Sequence, residues 1–399
     1  MNYKSQASID ISAYDLLIIG AGLSGSTIAR LAAQGGYKTL MLEKRNHIAG
    51  NLYDEVDPNS GILVQRYGPH LFFTNDETVY KFITSIDKWN ACIVHGRANI
   101  DGIMVPSPFN NILADTFFST QKAREIKMRL AKLFPDQTRA TILQLLESGD
   151  SLVKEYAEFM FEKDYKPYTI KHWGIAPNEL DRSILERVPV RLDYTDRLSD
   201  KRHQLLPISG FTAFVACMLR QPNIDVALDA DARNYMSLDD NKVKFCGKHI
   251  NIPVVYTGAL DRLLGYSFGQ LSYRSVNFIY QTLDTDSFQE TEFSIHPMAE
   301  GYTRITEYTK LPVQDGRGKT LIAYEYPAPY DDPASQIPYY PILCARSNNI
   351  YSQYRNIADQ IPNLFLCGRL ADFKYYNMDD AIKRAMAVFE SIEQNLGGK

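Results

Sequence analysis

Asp15-Leu-Leu-Ile-Ile-Gly20-Ala-Gly22-Leu-Ser-Gly25 is the stretch on which the fold turns, because an apolar run passes straight into a G-x-G-x-x-G turn. Reading outward, Ser26 to Gln34 predicts a helix, Gly35-Gly36 ends it, and Lys38-Thr-Leu-Met-Leu-Glu43 predicts a second buried strand. The result is a βαβ unit with an acidic residue, Glu43, 18 residues past Gly25. In that setting Gly20, Gly22 and Gly25, with Leu23 and Ser24 between them, let backbone approach a pyrophosphate at a helix start, and Glu43 can accept from a ribose hydroxyl. The competing reading is a glycine turn that serves only helix-on-strand packing.

Three features favour FAD over NAD. Lys44-Arg45-Asn-His-Ile-Ala-Gly50-Asn51 follows the second strand and can extend the cradle along a longer dinucleotide, the unit stands at the N-terminus, and a late strand ends in Gly368-Arg369. Against this, Arg45 can be a solvated loop charge and Gly368-Arg369 a helix entry.

The chain has 399 residues, about 2.7 times a typical ~150-residue domain, so two or three units are expected. With 45% apolar and 23% charged residues and a mean hydropathy of -0.27, it can bury a large core. A net charge of -4 offers no field to attract a nucleic acid, so an anionic ligand needs a local basic pocket. The apolar run Leu16 to Leu23 is too short to span a bilayer, and MNYKSQASIDISAYD does not read as a signal peptide, so a cytoplasmic protein is expected. Five scattered cysteines without a CxxC pair read as reduced packing residues. The histidines lack metal-ligand spacing and no metal site is expected.

Helical periodicity runs through Lys122 to Phe134, Arg139 to Glu147 and Leu152 to Phe161, whereas Val276 to Tyr280, Tyr302 to Tyr308 and Thr320 to Glu325 alternate as antiparallel strands do. Asn363 to Arg369 and Asp379 to Gln394 return to a strand and a closing helix, and Tyr326 to Pro341, with five prolines, reads as a loop. The expected architecture is α/β, with a discontinuous Rossmann-like FAD-binding domain over 1–85, 205–265 and 355–399. A helical bundle over 108–178 and an antiparallel β-sheet domain over 86–107, 179–204 and 266–354 complete it.

A second concentration of chemistry is Tyr168-Thr-Ile-Lys-His-Trp173-Gly174, followed by Arg182, Arg187-Val-Pro-Val-Arg191, Arg197 and Arg202. Aromatics can stack on a base and arginine forks can hold a diphosphate, although a solvated charged face and a core tryptophan account for the same residues. Of 26 tyrosines, Tyr302, Tyr308, Tyr324, Tyr326, Tyr339, Tyr340, Tyr375 and Tyr376 crowd the second half, as phosphate donors or as half-buried strand residues.

GAGLSG, EKRNHIAGN, YGPHLFFTN, KHWG, RVPVR, YTRITEY, YEYP, PYYP and CGRLADFKYYNMDDAI, in that order from about Tyr14 to the C-terminus, resemble the bacterial UDP-galactopyranose mutase family. The resemblance implies a three-domain, homodimeric flavoenzyme. Its reduced FAD contracts UDP-galactopyranose to UDP-galactofuranose through an N5–sugar adduct without net redox, using a reductant or NAD(P)H to keep the flavin reduced. The product feeds cell-surface polysaccharide. By motif, Arg191 and Arg304 are implied as the diphosphate arginines, the first on a mobile loop, and Tyr340 and Tyr375 as the diphosphate tyrosines. Tyr168 and Trp173 are implied in the uridine pocket and Glu325 of YEYP at the substrate. Arg369 is implied beside the flavin, with His70, Asn377 and Met378 in the cofactor set. The chain departs from the family at Phe73, where a second histidine is usual, at Asn377 in place of an aspartate, and at Lys201-Arg-His203. Those departures also fit UDP-N-acetylgalactosamine or dTDP-fucose as substrate. An amine-oxidase-type FAD oxidoreductase, or an inactive nucleotide-sugar or flavin-binding subunit, is the alternative of another class.

Overall fold

Leu16–Ile19 and Thr39–Leu42 are apolar without alternation, the pattern of strands covered on both faces. The computed structural model describes residues 2–4, 9–179, 181–186 and 188–396. Among them the two strands sit in the middle of a six-stranded parallel sheet, ordered Asn2–Tyr3, Ile224–Ala227, Thr39–Leu42, Leu16–Ile19, Val254–Tyr256, Leu364–Leu366. Strand order reverses at Leu16–Ile19, and a ligand crevice opens at such a switch point in doubly wound sheets. The helix Leu23–Gln34 and the closing helix Met378–Leu396 pack together beside the sheet, joining Ile28, Ala29 and Ala32 to Ile382, Ala385 and Phe389 in one core.

The first helix starts at Leu23 and not at Ser26 as the sequence pattern implied. The reason is contact. A Cβ on Gly25 would lie 2.0 Å from the Gly20 carbonyl oxygen, so this glycine must already be helical for the helix to seat against the strand.

Ser119 and Asp150 cap the helices Thr120–Leu133 and Ser151–Met160, whose apolar faces meet around Ile126, Leu130, Val153 and Tyr156. Arg139 and Ala140 do not continue as helix. They pair with Val190–Arg191, and the helix Ile142–Leu146 starts after them on a capping box between Thr141 and Gln144. A π turn over Phe161–Tyr165 joins Ser151–Met160 to Lys166–Trp173, which ends on Gly174 at φ 73°.

A seven-stranded sheet runs in the order Tyr340–Pro341, Tyr273–Leu283, Thr320–Pro329, Arg304–Glu307, Phe293–Ile295, Gly96–Ile100, Ile103–Ser107. It is not antiparallel throughout, because Phe293–Ile295 and Gly96–Ile100 run parallel. Gly96 makes room there, since a Cβ would fall 2.4 Å from the Phe293 ring. The proline-rich stretch is only partly a loop: Thr320–Pro329 stays paired with Tyr273–Leu283 to Pro329, and Tyr340–Pro341 returns to the sheet edge. Trp89–Ala91 leaves this sheet for a three-stranded one with His203–Pro207 and Phe72–Thr74. No helix among the described residues is long and apolar enough to cross a membrane.

Candidate active site

Each glycine of the fingerprint is explained by what stands next to it. Gly20, at φ 105°, would drive a Cβ into Thr257 Oγ1 at 2.2 Å, and Gly22 faces Gly50, whose own Cβ would lie 3.0 Å from Gly22 Cα. Two bare backbones therefore line a cradle at the carboxyl ends of the parallel strands. Gly20, Gly22, Leu23, Ser24, Gly25, Glu43, Lys44, Arg45, Gly50, Asn51, His70, Arg369, Asn377 and Met378 all line this one cleft. Two helix starts open into it, and the first, at Gly22, has no side-chain cap.

The residues fit a flavin dinucleotide. Glu43 is 5% exposed and its two carboxylate oxygens accept from the Ala21 and Arg45 amides at 2.8 and 2.9 Å, which leaves lone pairs for a ribose hydroxyl. Arg45 Nη2 donates to Asn51 at 2.8 Å and the guanidinium lies 4.6 Å from the Tyr67 ring centre, while its buried Nη1 has no partner among the described residues. An orphaned guanidinium N–H in a glycine cradle is what a pyrophosphate would satisfy. Beside it Lys44 is pulled down to about 8 by burial and by the charges of Arg262 and Arg45, a basic pocket in a chain of net negative charge.

A second cluster abuts the cleft. The Tyr340 and Tyr375 rings stack with centres 5.4 Å apart, and the Arg369 guanidinium lies 5.3 and 5.0 Å from them. Trp173, 6% exposed, packs at 6.0 and 6.3 Å from the same two rings. His172 meets Tyr340 at 5.3 Å and stacks on Tyr168 at 5.3 Å. Arg304 and Glu325 are registered opposite each other on neighbouring strands, and the carboxylate takes Nε and Nη2 at 2.6 and 2.8 Å. Arg304 acts electrostatically on Tyr168, Tyr340, His172 and His70, so these residues share one neighbourhood.

His70 touches both regions. It lines the cleft, Nδ1 lies 2.8 Å from the Gly68 carbonyl, and burial followed by the charges of Arg369 and Arg304 pushes it down to about 4. A carbonyl only accepts, so Nδ1 carries the proton and Nε2 of the neutral ring is an acceptor.

A family model described as UDP-galactopyranose mutase matches residues 163–375, and one described as an NAD(P)-binding Rossmann-like domain matches 18–86. A UDP-galactopyranose mutase of Mycoplasma pneumoniae is 33% identical over 387 residues, covering 96% of each chain. The chain belongs to the UDP-galactopyranose mutase family. A dTDP-fucopyranose mutase of Escherichia coli is 32% identical over 377 residues, 93% of this chain and 96% of the relative. A crystal structure of reduced UDP-galactopyranose mutase superposes with a TM-score of 0.70 over 96% of this chain and 94% of that one, at 17% identity, and so shares the fold.

One residue implied by the family resemblance is not brought to the cluster. Arg191 is 3% exposed, Nη1 bonds both oxygens of Asp200 at 2.8 and 2.9 Å, and Nη2 donates to the Arg197 carbonyl at 3.0 Å. It lies in a two-residue strand pairing with Arg139–Ala140, not on an open loop. The other arginine of RVPVR, Arg187, lies outside the described residues. His203, at the family departure Lys201-Arg-His203, stacks on Tyr80 at 3.7 Å and reaches Glu77 at 2.9 Å.

His172 and Lys171 were missed as individual residues, although both stand in KHWG. Lys171 Nζ donates to the carbonyls of His296, Ala299 and Tyr302 at 2.9, 2.6 and 2.8 Å, tying the helix to the segment that enters Arg304. Arg274 bonds the His172 and Lys171 carbonyls at 2.8 and 3.1 Å, and a Cβ at Gly174 would meet its Nη1 at 2.7 Å. The signal was available in one form: a lysine and an aromatic pair at a glycine-capped helix end.

Proposed function

We propose that this chain interconverts UDP-galactopyranose and UDP-galactofuranose, using FAD in its reduced form. One observation supports the reading: Arg369 belongs both to the dinucleotide cleft and to the aromatic–cation cluster, so a single residue borders both proposed ligand sites. Bound and reduced, the flavin supplies the nucleophile for the anomeric carbon as UDP departs.

The chain's own part is binding, orientation and charge. Gly22, Gly50 and Arg45 hold the pyrophosphate of the cofactor, and Glu43 holds its ribose. At the substrate, Arg304 and the phenols of Tyr340 and Tyr375 donate to the departing diphosphate, whose charge grows as the glycosidic bond lengthens. Glu325 aims Arg304 by fixing one edge of the guanidinium. Trp173 closes the floor under the tyrosine pair and excludes water, and Tyr168 stacks on the base. His70, neutral, accepts a hydrogen bond at Nε2 without adding charge beside Arg369. The family resemblance supports a homodimer working in the cytoplasm with a reductant or NAD(P)H, supplying galactofuranose for surface polysaccharide.

A sibling substrate is the second reading, favoured by the 32% identity to the dTDP-fucopyranose mutase beside the 33% to a UDP-galactopyranose mutase. Chromatography of purified protein with UDP-galactofuranose, with and without dithionite, tests the first. Conversion to UDP-galactopyranose only under reduction is expected. A flavin-loaded, fully reduced protein that leaves UDP-galactofuranose intact would overturn it and direct the assay to dTDP-fucofuranose.

A further inference from the structure

The motif Lys44 to Asn51 supplies Arg45, Gly50 and Asn51 to the dinucleotide cleft and leaves His47 without a role. His47 does not line the cleft. Its ring stands behind Arg45, stacked on Tyr53 with centres 3.9 Å apart, and its Nε2 lies 2.8 Å from the Tyr67 hydroxyl. The Tyr67 ring in turn carries the Arg45 guanidinium on its face, 4.6 Å from the ring centre.

The direction of each hydrogen bond in this chain is fixed. His47 Nδ1 lies 2.8 Å from the Ile48 carbonyl oxygen, which only accepts, so Nδ1 carries the proton. Burial, aided by the charge of Arg45, holds the imidazole below its ordinary value against the pull of that carbonyl, and Nε2 of the neutral ring is an acceptor. The Tyr67 hydroxyl therefore donates. A phenol that donates its proton gains electron density on the ring, and the face turned to Arg45 attracts a cation more strongly.

The guanidinium is thus held from two sides. Asn51 takes Nη2 at 2.8 Å, Tyr67 covers one face, and the buried Nη1 is left without a partner among the described residues. An unrestrained arginine gives up rotamer freedom when an anion arrives, whereas one seated on a ring and clamped at one edge has given it up beforehand. Resting on the function proposed above, we infer that Tyr67 and His47 are positioning residues for the cofactor: His47 orients and polarises Tyr67, and Tyr67 holds Arg45 with Nη1 presented to the FAD pyrophosphate. Tyr53, whose hydroxyl donates to Glu55 at 2.7 Å, backs the stack.

FAD titrations of the purified full chain, with bound flavin read by absorbance after filtration, test this. Tyr67→Leu removes the face and should weaken FAD about tenfold, as for a cation–π contact in a partly desolvated site. Tyr67→Phe keeps the face without the hydroxyl and should weaken it about threefold, the scale of one neutral hydrogen bond. His47→Leu should match Tyr67→Phe, the two together should weaken FAD no further than either alone, and His47→Gln, which keeps an accepting oxygen, should restore most of the loss. In an Arg45→Gln background the effect of Tyr67→Leu should vanish, whereas rings that only pack the loop would weaken FAD by the same factor with or without Arg45. Where Arg45→Gln holds no flavin, the first pair decides: additive losses from Tyr67→Phe and His47→Leu overturn the relay. An undiminished Tyr67→Leu effect in the Arg45→Gln background, or Arg45→Gln that binds FAD as tightly as the wild type, overturns the positioning role and leaves the proposed function standing. Wild-type protein that binds no FAD overturns both.

Discussion

Glu325 faces Arg304 directly across two antiparallel strands, and its carboxylate, 6% exposed, spends both oxygens on one edge of the guanidinium. Nε and Nη2 are thereby committed, and Nη1 is the nitrogen turned to other uses. Arg304→Ala should lower turnover by about 100-fold, the usual loss for one charge-stabilising donor, and leave flavin content unchanged. It also strands a buried carboxylate, so the variant should lose about 3 to 5 kcal/mol in denaturant unfolding. Glu325→Gln removes that stranded charge, and its turnover should fall less than that of Arg304→Ala. Equal turnover in all three proteins would remove Arg304 from the reaction.

Arg191 and Arg187 separate in the opposite sense. Arg191→Ala breaks a buried pair with Asp200 and should lower the thermal midpoint, while turnover of the folded protein stays within about twofold, as for a residue outside the reacting groups. With Arg191 committed to Asp200, Arg187→Ala should cut turnover by about 10- to 100-fold if RVPVR meets the diphosphate. Thermal scans and the chromatographic assay on both variants decide between the two positions.

Acid should destabilise the protein through two histidines. Burial, with Arg369 and Arg304, holds His70 down at about 4, and burial with Arg304 and Arg274 holds His172 at about 3. Unfolded histidines protonate near pH ~6.5. As pH falls from there toward 4 the unfolded chain gains protons that the folded chain refuses, so stability present above 6.5 is progressively lost. Denaturant midpoints between pH 7 and 4.5 should fall in the wild type and fall less steeply in His70→Gln and His172→Gln.

Gly25→Ala places a methyl group 2.0 Å from the Gly20 oxygen. The helix must lift from its strand, and the protein should purify without flavin colour. An alanine variant with full flavin absorbance would show that the cleft does not depend on that approach.

Lys171→Met removes three donations to the segment 296–302 while keeping the apolar stem. Flavin content should be unchanged and KM for the nucleotide sugar should rise several-fold, because the entry to Arg304 is no longer tied to the helix.

What was legible in the sequence was what is local. Gly20, Gly22, Gly25 and Glu43 act within one βαβ unit, and their spacing alone carries the reason for each. The Arg304–Glu325 pair could be reached only through motif resemblance, since it depends on the register between two strands. The partner of Arg191 was not legible: RVPVR offers two arginines, and what pairs the second is Asp200, an unremarked residue on a following loop. The parallel junction of Phe293–Ile295 with Gly96–Ile100 was equally hidden, because alternation reports a strand's faces and not its direction.

The parallel sheet takes its outermost strand, Leu364–Leu366, and its closing helix from the far end of the described chain, and Gly368, Arg369, Asn377 and Met378 line the cleft opposite the first glycines. During synthesis, therefore, the glycine turn waits with an incomplete wall while everything between is made. The flavin can be captured only after translation has passed residue 378, and a ribosome stalled before that point should carry a colourless nascent chain.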